Sequence, residues 1–293
     1  DKSTFNISAG YLDQKGTMIH TSFNRYSVRA NSQFRLGKFT VGENLMLARS
    51  ESIGIVGNNN DNENAITATM LMHPTVPVYD IEGNFAGGKS TGFGNRGNAV
   101  ALMTQNKDNT TTTNKIFGNF YGELAFTDWL KFRSSLGFDY NNSVFVGFNY
   151  PNPEDQEPNN TDGLSEDWEY NFLWQWSNTL EFSKRIGEKH QVNVLVGYEA
   201  VKNQNRRLEA DLNSYFSYDP SVWYINTAIG DPSTRAILSR GGPSSLASGF
   251  GKIDYSFDDK YLLSFTMRRD GSSKFGDDTK WGLFPSASVG WRI

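Results

Sequence analysis

Gly83-Asn84-Phe85-Ala86-Gly87-Gly88-Lys89-Ser90 satisfies the G-x-x-x-x-G-K-[ST] spacing of a phosphate-binding loop letter for letter. That chemistry needs a helix to open at the Lys, so that backbone N–H groups and the helix N-terminus hold the phosphates. The next residues, Thr91-Gly92-Phe93-Gly94-Asn95, do not open a helix, and no apolar strand ends in a magnesium-binding Asp. Gly92-Phe93-Gly94-Asn95-Arg96-Gly97 matches the dinucleotide spacing G-x-G-x-x-G, but without a preceding strand, a βαβ context or a suitably placed acid. Both stretches read as loop. The three histidines, His20, His73 and His190, lie far apart beside turns and support neither a metal site nor a His-based triad. The acidic pairs Asp258-Asp259 and Asp277-Asp278 sit in turns and read as turn formers, with calcium in the outer loops as the lesser alternative. There is no Cys, hence no disulfide framework and no thiolate site. Catalysis, a cofactor and a bound metal are therefore not expected.

The aromatic residues carry more information. Tyr215, Phe216, Tyr218, Trp223 and Tyr224 cluster in one late loop. Two readings stand side by side: a loop core, or a platform for a sugar ring or a peptide side chain, with Tyr215, Tyr218, Trp223 and Tyr224 as the substrate-binding candidates. Trp129, Tyr261 and Trp291 fall near tight turns, whereas Trp168 and Trp281 fall near long loops. Two aromatic belts one bilayer apart are what anchoring at both membrane interfaces requires.

The elements that position these residues are strands of period two. In the last stretch Tyr261, Leu263, Phe265 and Met267 alternate with Ser264, Thr266, Arg268 and Asp270. Leu130, Phe132, Leu136, Phe138 and Tyr140 likewise oppose Lys131, Arg133, Ser135 and Asp139, and Val192, Val194, Val196 and Tyr198 oppose Gln191, Asn193 and Glu199. Ten strands are expected, at 3–12, 23–36, 38–50, 115–127, 130–147, 168–184, 191–203, 247–257, 260–270 and 281–293. Most match the roughly 9 to 11 residues that cross a bilayer at a tilt. Short connections at 37–38, 127–129, 186–190 and 258–260 alternate with long ones at 13–22, 51–114, 148–167, 205–246 and 271–280, so every long loop falls on one rim. Residues 64–72 read as a short helix stopped by His73-Pro74, and 52–64 as a mobile Gly/Asn-rich stretch.

Composition narrows the class. No run approaches the roughly 18 apolar residues of a membrane-crossing helix, but a barrel strand shows lipid only every second residue, so a barrel stays open. The net charge of -4 is mild and mixed in sign, which gives no reason to expect nucleic acid. The fold expected from the residues is all-β and antiparallel, an up-and-down transmembrane barrel portion. A soluble β-sandwich carbohydrate-binding module is the alternative, because period alone does not say whether the apolar face meets lipid or another sheet.

Tyr261-Leu262-Leu263, Arg268-Arg269-Asp270-Gly271-Ser272-Ser273, Phe275-Gly276, Trp281-Gly282, Phe284-Pro285-Ser286 and Gly290-Trp291-Arg292-Ile293 together resemble the barrel signature of the SusC/RagA family of TonB-linked outer-membrane transporters. Gly10-Tyr11-Leu12-Asp13-Gln14-Lys15-Gly16 and Phe23-Asn24-Arg25-Tyr26-Ser27-Val28-Arg29-Ala30-Asn31 resemble that family's first barrel hairpin. The stretch near Pro77-Val78-Tyr79 is similar to its connector, with Asn98-Ala99 where members often have Asn-Pro. The resemblance implies that residues 1–293 are part of a transporter barrel, preceded in family members by a signal peptide and a plug. It implies energised import of a glycan or peptide across a bacterial outer membrane, with a SusD-like lipoprotein over the loop rim, TonB acting through the plug, and lipid around the wall. A passive pore or surface adhesin is the alternative on a similar barrel. Plugged transporters close with about 22 strands, so ten are expected to leave an open arc. Alternation places Arg268 and Asp270 inside, bonded across strands, and Arg269 outside, and a bulge or broken bond is expected beside Pro285.

Overall fold

A computed structural model describes residues 3–55, 64–89, 92–93, 97–153 and 158–293. Ser90, Thr91, Gly94, Asn95 and Arg96 of the two glycine-rich patterns lie outside the described residues, as does most of the Gly/Asn-rich stretch. Ten strands form one antiparallel sheet in sequence order: β1 (Ser3–Lys15), β2 (Ser22–Leu36), β3 (Phe39–Ile53), β4 (Thr110–Thr127), β5 (Leu130–Asn149), β6 (Gly163–Ile186), β7 (His190–Asn213), β8 (Ala236–Phe257), β9 (Tyr261–Ser272) and β10 (Trp281–Trp291). Each strand pairs only with its sequence neighbours, and β1 and β10 are the free edges of an open sheet.

The strands run further than periodicity suggested. β6 and β7 each have 24 residues, about 80 Å at about 3.3 Å per residue, far more than a bilayer needs. β8 begins at Ala236 instead of 247, so the expected connection 205–246 shrinks to 214–235. The reason is local. At Glu166-Asp167, Arg206-Arg207 and Ser244-Ser245 both faces are polar, which erases the alternation while the backbone ladder continues.

Tight turns close one rim. Gly37 (φ 63°) and Gly187 (φ 62°) take left-handed backbone, and Asp258 (φ 54°) and Asp259 (φ 53°) take it together at the centre of a turn closed by Lys260 N donating to Phe257 O at 3.0 Å. The Asp258-Asp259 pair is held by cations of the adjoining hairpin, Arg185 to Asp259 at 2.7 Å and Lys189 to Asp258 at 3.6 Å. These acids are thus turn formers. All the long connections lie on the opposite rim, as the spacing implied.

Register sorts the side chains into two faces. Phe120, Leu136, Trp176, Ala200, Ala247 and Gly271 stand side by side across β4 to β9, and one residue along each strand stand Tyr121, Ser135, Ser177, Glu199, Ser248 and Asp270. Val194 lies between Phe182 and Ile253, and Ile253 beside Phe265. Leu136, Val196, Phe265 and Met267 are exposed along with most of the apolar face, and the described hydrophobic core lies instead at the loop rim, where the ends of β5, β6 and β7 meet the loops. Among the described residues no second sheet covers the apolar face, as a sandwich would require. The polar face carries Arg133, Asp139, Gln175 and Arg268, as alternation required.

Within the apolar band a carboxylate departs from this sorting. Glu43 on β3 stands between Ser32 and Phe120 on the apolar face, flanked along its own strand by Val41 and Leu45. Its carboxylate accepts a hydrogen bond from the Ser32 hydroxyl.

Candidate functional site

The polar face of β4 to β9 carries two networks of paired side chains, one on β4 and β5 and one on β6 to β9. Gln175 Nε2 donates to Glu199 Oε2 at 2.6 Å, and Arg268 Nη2 reaches Glu199 Oε1 at 3.6 Å. Arg268 Nε donates to both oxygens of Asp270 at 2.7 and 3.0 Å, and its Nη2 to Ser248 Oγ at 3.0 Å. One guanidinium thus joins β7, β8 and β9, which fixes their register through charge-assisted bonds as well as the ladder. Further along the wall Arg133 sits 4.1 Å over the Tyr121 ring and 3.8 Å from Glu123, and Lys115 lies 3.5 Å from Asp139. Towards the loop rim Arg207 forks onto Asp167 at 2.6 to 3.0 Å and reaches Glu209 at 2.8 Å, which also accepts from Arg240 at 2.9 Å. The result is a hydrophilic surface of paired charges, suited to letting polar solute pass.

The other residues singled out by the motif organise the loop rim. Arg269 stands on the apolar face with its guanidinium 4.8 Å from the Trp281 ring. Gly271 is required there: a Cβ would lie 2.6 Å from that ring. Ser272 N donates to Lys280 O at 3.0 Å and Ser272 Oγ accepts from Lys274 N at 3.2 Å, closing the β9–β10 loop. Ser273 docks this loop onto β8 through a reciprocal pair, its N to Ser245 O at 2.9 Å and Ser245 N to its Oγ at 2.8 Å. Trp291, at the tight-turn rim, is exposed with Lys260 Nζ 5.8 Å from its ring. Pro285 corrects an expectation, because its register with Met267 is unbroken and no bulge accompanies it. Arg292 N donates to Lys260 O, which sets the hydrogen-bonding parity so that the nitrogen of Pro285 points to the free edge of β10, where β9 needs no donor.

The late-loop aromatics divide. Trp223 (5% exposed) and Tyr215 (7%) are buried with Phe148 and Leu164, the Phe148 ring stacked on Trp223 at 5.0 Å and edge-on to Tyr215 at 5.5 Å. These two are loop core, not an open platform. Tyr218 and Tyr224 remain exposed, Tyr218 against Tyr150 at 5.1 Å. Burial, followed by the nearby Glu166 and Asp162 carboxylates, pushes the Tyr215 phenol up to about 12.

Asparagines and aspartates fasten the long loops. Asn109 mimics a strand partner: its Oδ1 accepts from Phe148 N at 2.8 Å and its Nδ2 donates to Phe148 O at 3.2 Å. Asp162 accepts from Tyr215 N at 3.0 Å. Asn64 caps the short helix α1 (Ala65–Leu71) reciprocally with Thr67, and Asn98 caps α2 (Ala99–Gln105) while its Nδ2 donates to Val78 O and Ala86 O at 2.8 and 2.7 Å. Buried Asn98 therefore pins the 78–86 turn to α2, so Ala99 leaves no defect where Pro is usual at the first helical position. In the phosphate-loop pattern Gly83 belongs to a turn closed by Asp80, which accepts from Glu82 N and Asn84 N at 2.9 Å, and the next helix begins only at Ala99. Among the described residues no helix opens at Lys89 to cradle a phosphate.

Known proteins share this architecture. A family model described as TonB dependent receptor-like, beta-barrel, matches residues 53–293. TonB-dependent receptor P26 of Formosa agariphila is 27% identical over 307 residues, covering 99% of this chain and 28% of that protein. TonB-dependent receptor SusC of Bacteroides thetaiotaomicron is 26% identical over 315 residues, covering 99% of this chain and 29% of that protein. Among solved structures, the RagAB peptide transporter superposes with a TM-score of 0.80 at 21% identity, over 98% of this chain and 32% of that one. The chain spans less than a third of the length of these relatives.

Proposed function

The chain belongs to the TonB-dependent receptor-like β-barrel family, an outer-membrane family, and we propose that it forms part of the wall of an active importer of glycans or peptides. The observation that carries the reading is the segregation of the sheet. An exposed apolar face meets lipid, while the opposite face carries paired charges and amides, Arg133 with Glu123 and Gln175 with Glu199, Arg268 and Asp270. A solute passing such a wall meets hydrogen-bonding groups already satisfied within the wall, so it is guided without being trapped. The mechanism is binding and gated passage, with no covalent change in the cargo. In this reading residues 1–293 are part of the barrel, a plug and TonB would supply the energy, and a SusD-like lipoprotein would cover the loop rim. Tyr218 and Tyr224, exposed in the loop over the Phe148–Trp223 core, are the residues of that rim best placed to stack on a sugar ring or an aromatic side chain of a peptide.

The test is uptake by cells carrying or lacking the full-length protein, with labelled oligosaccharide and labelled peptide as cargoes and a protonophore as the second variable. Import that needs the protein and collapses with the proton-motive force is expected. Import that survives the protonophore would make it a passive pore. Failure of a surface lipoprotein to co-purify would remove the proposed partner.

A further inference from the structure

Outside the barrel, the apolar face changes character above the lipid band. Along β7 its residues run Val192, Val194, Val196, Tyr198 and Ala200, then Lys202, Gln204 and Arg206. On β3 they run Leu45 and Leu47, then Arg49, and on β9 Phe265 and Met267, then Arg269. On the polar face Lys115, Arg133, Arg207, Arg240 and Arg268 each meet a carboxylate. Among the described residues Arg49, Lys202, Arg206 and Arg269 meet none; they stand beside aromatic rings instead. Register places Lys202 opposite Trp174, Arg206 opposite Tyr170 and Arg49 opposite Tyr26, and Arg269 lies over Trp281.

Two grooves open between these residues on the same face. One, of about 360 Å³, has Trp174 and Trp281 as walls, Ala200 and Ala247 in its floor and Lys202 on its edge. The other, of about 390 Å³, is further from the band and is lined by Tyr170, Gln204, Arg206, Ser239 and Gly241. Arg206 lies four residues beyond Lys202, about 13 Å along the strand or about 10 Å along the membrane normal at a tilt near 40°, a gap that two extended cationic side chains close on one anion held above Gln204. Unpaired cations at that depth, beside walls that accept hydrocarbon, complement an anion attached to an apolar chain.

We propose that these grooves bind a phosphate-bearing lipid of the outer leaflet, its phosphate held by Lys202 and Arg206 and its first methylenes lying between Trp174 and Trp281. Arg206 supplies the forked donors that phosphate oxygens accept in pairs, Lys202 a compact charge at the band edge, and Gln204, between them on the same face, a neutral donor. The site goes beyond the import function and uses the opposite face of the sheet, so the failure of one leaves the other standing.

The experiment takes the full-length protein from vesicles of equimolar phosphatidylcholine and phosphatidylglycerol into mild detergent and counts retained lipids by native mass spectrometry. Wild-type protein is expected to keep phosphatidylglycerol in preference to phosphatidylcholine. Removal of one cation is expected to lower retention about fivefold, and Lys202→Gln with Arg206→Gln about 25-fold, taking each basic residue near an anionic surface as equivalent. Lys202→Arg should restore most of the loss, and Lys189→Gln at the opposite rim should change nothing. Folding of each variant is checked by its heat-dependent gel mobility; if the double variant does not fold, Arg206→Gln and Lys202→Arg carry the comparison. Equal retention of the two lipids, or full retention by the folded variants, overturns the proposal. Release of the lipid by millimolar inorganic phosphate also overturns it, since the site would then serve the free anion.

Discussion

Arginine at position 194 tests which face of the sheet meets lipid. Val194 stands between Phe182 and Ile253 and is four residues above His190, where β7 leaves its tight turn. Four residues rise about 13 Å along the strand, or about 10 Å along the normal at a tilt near 40°, close to the middle of an apolar band about 25 Å tall. A guanidinium there has no acid beside it, so Val194→Arg is expected to cost about 2–4 kcal/mol, a roughly 30- to 1000-fold loss in the folding constant. The control is its neighbour on the opposite face. Leu195 faces Glu181 and Lys252 in register, so an arginine at 195 gains a carboxylate within reach and stays in water, and Leu195→Arg is expected to cost no more than about 1 kcal/mol. The assay is equilibrium unfolding of the full-length protein from phospholipid vesicles in guanidinium chloride, with the slope checked for constancy between variants. Equal costs at 194 and 195, or a larger cost at 195, would refute the assignment of faces.

Three further outcomes rest on particular contacts. Arg268→Leu leaves Glu199 and Asp270 without their shared cation; because the side chain is 42% exposed, the cost is expected to be about 1–2 kcal/mol, read by the same unfolding assay, and smaller in the double variant Arg268→Leu with Glu199→Leu. Glu43→Leu removes a carboxylate from the lipid face and is expected to stabilise the barrel by up to about 2 kcal/mol; a loss of stability would mean that the Ser32–Glu43 bond serves a protein contact there. Tyr215 has a folded pKa raised to about 12 against an ordinary 10.0, so its contribution to the loop core is complete below about pH 10 and is lost as pH rises towards 12. Difference absorption of tyrosinate is expected to lose one late-titrating phenol in Tyr215→Phe.

The sequence alone decided the fold class, the strand count and the faces, because a sheet between lipid and water writes its environment into every second residue: Leu136, Phe138 and Val194 against Arg133, Asp139 and Gln175. Turn chemistry at Gly37, Gly187 and Asp258-Asp259 was equally legible, since backbone that demands positive φ limits the residue types to few. Strand ends towards the loop rim were not. Beyond the membrane both faces of β6, β7 and β8 meet water, so the ladder continues without a periodic signal. Nor was the fate of the loop aromatics. Tyr215 and Trp223 are core while Tyr218 and Tyr224 are surface, a difference made by Phe148 and Leu164, which stand 59 to 75 residues away from Trp223 in the chain and meet it only when β5, β6 and the 214–235 loop converge. Glu199 as the partner of Gln175 and Arg268, and Asn98 as the clasp of the 78–86 turn, depend on the same kind of long-range meeting. Register turns single side chains into a wall, and register is a property of neighbouring strands that no one strand contains.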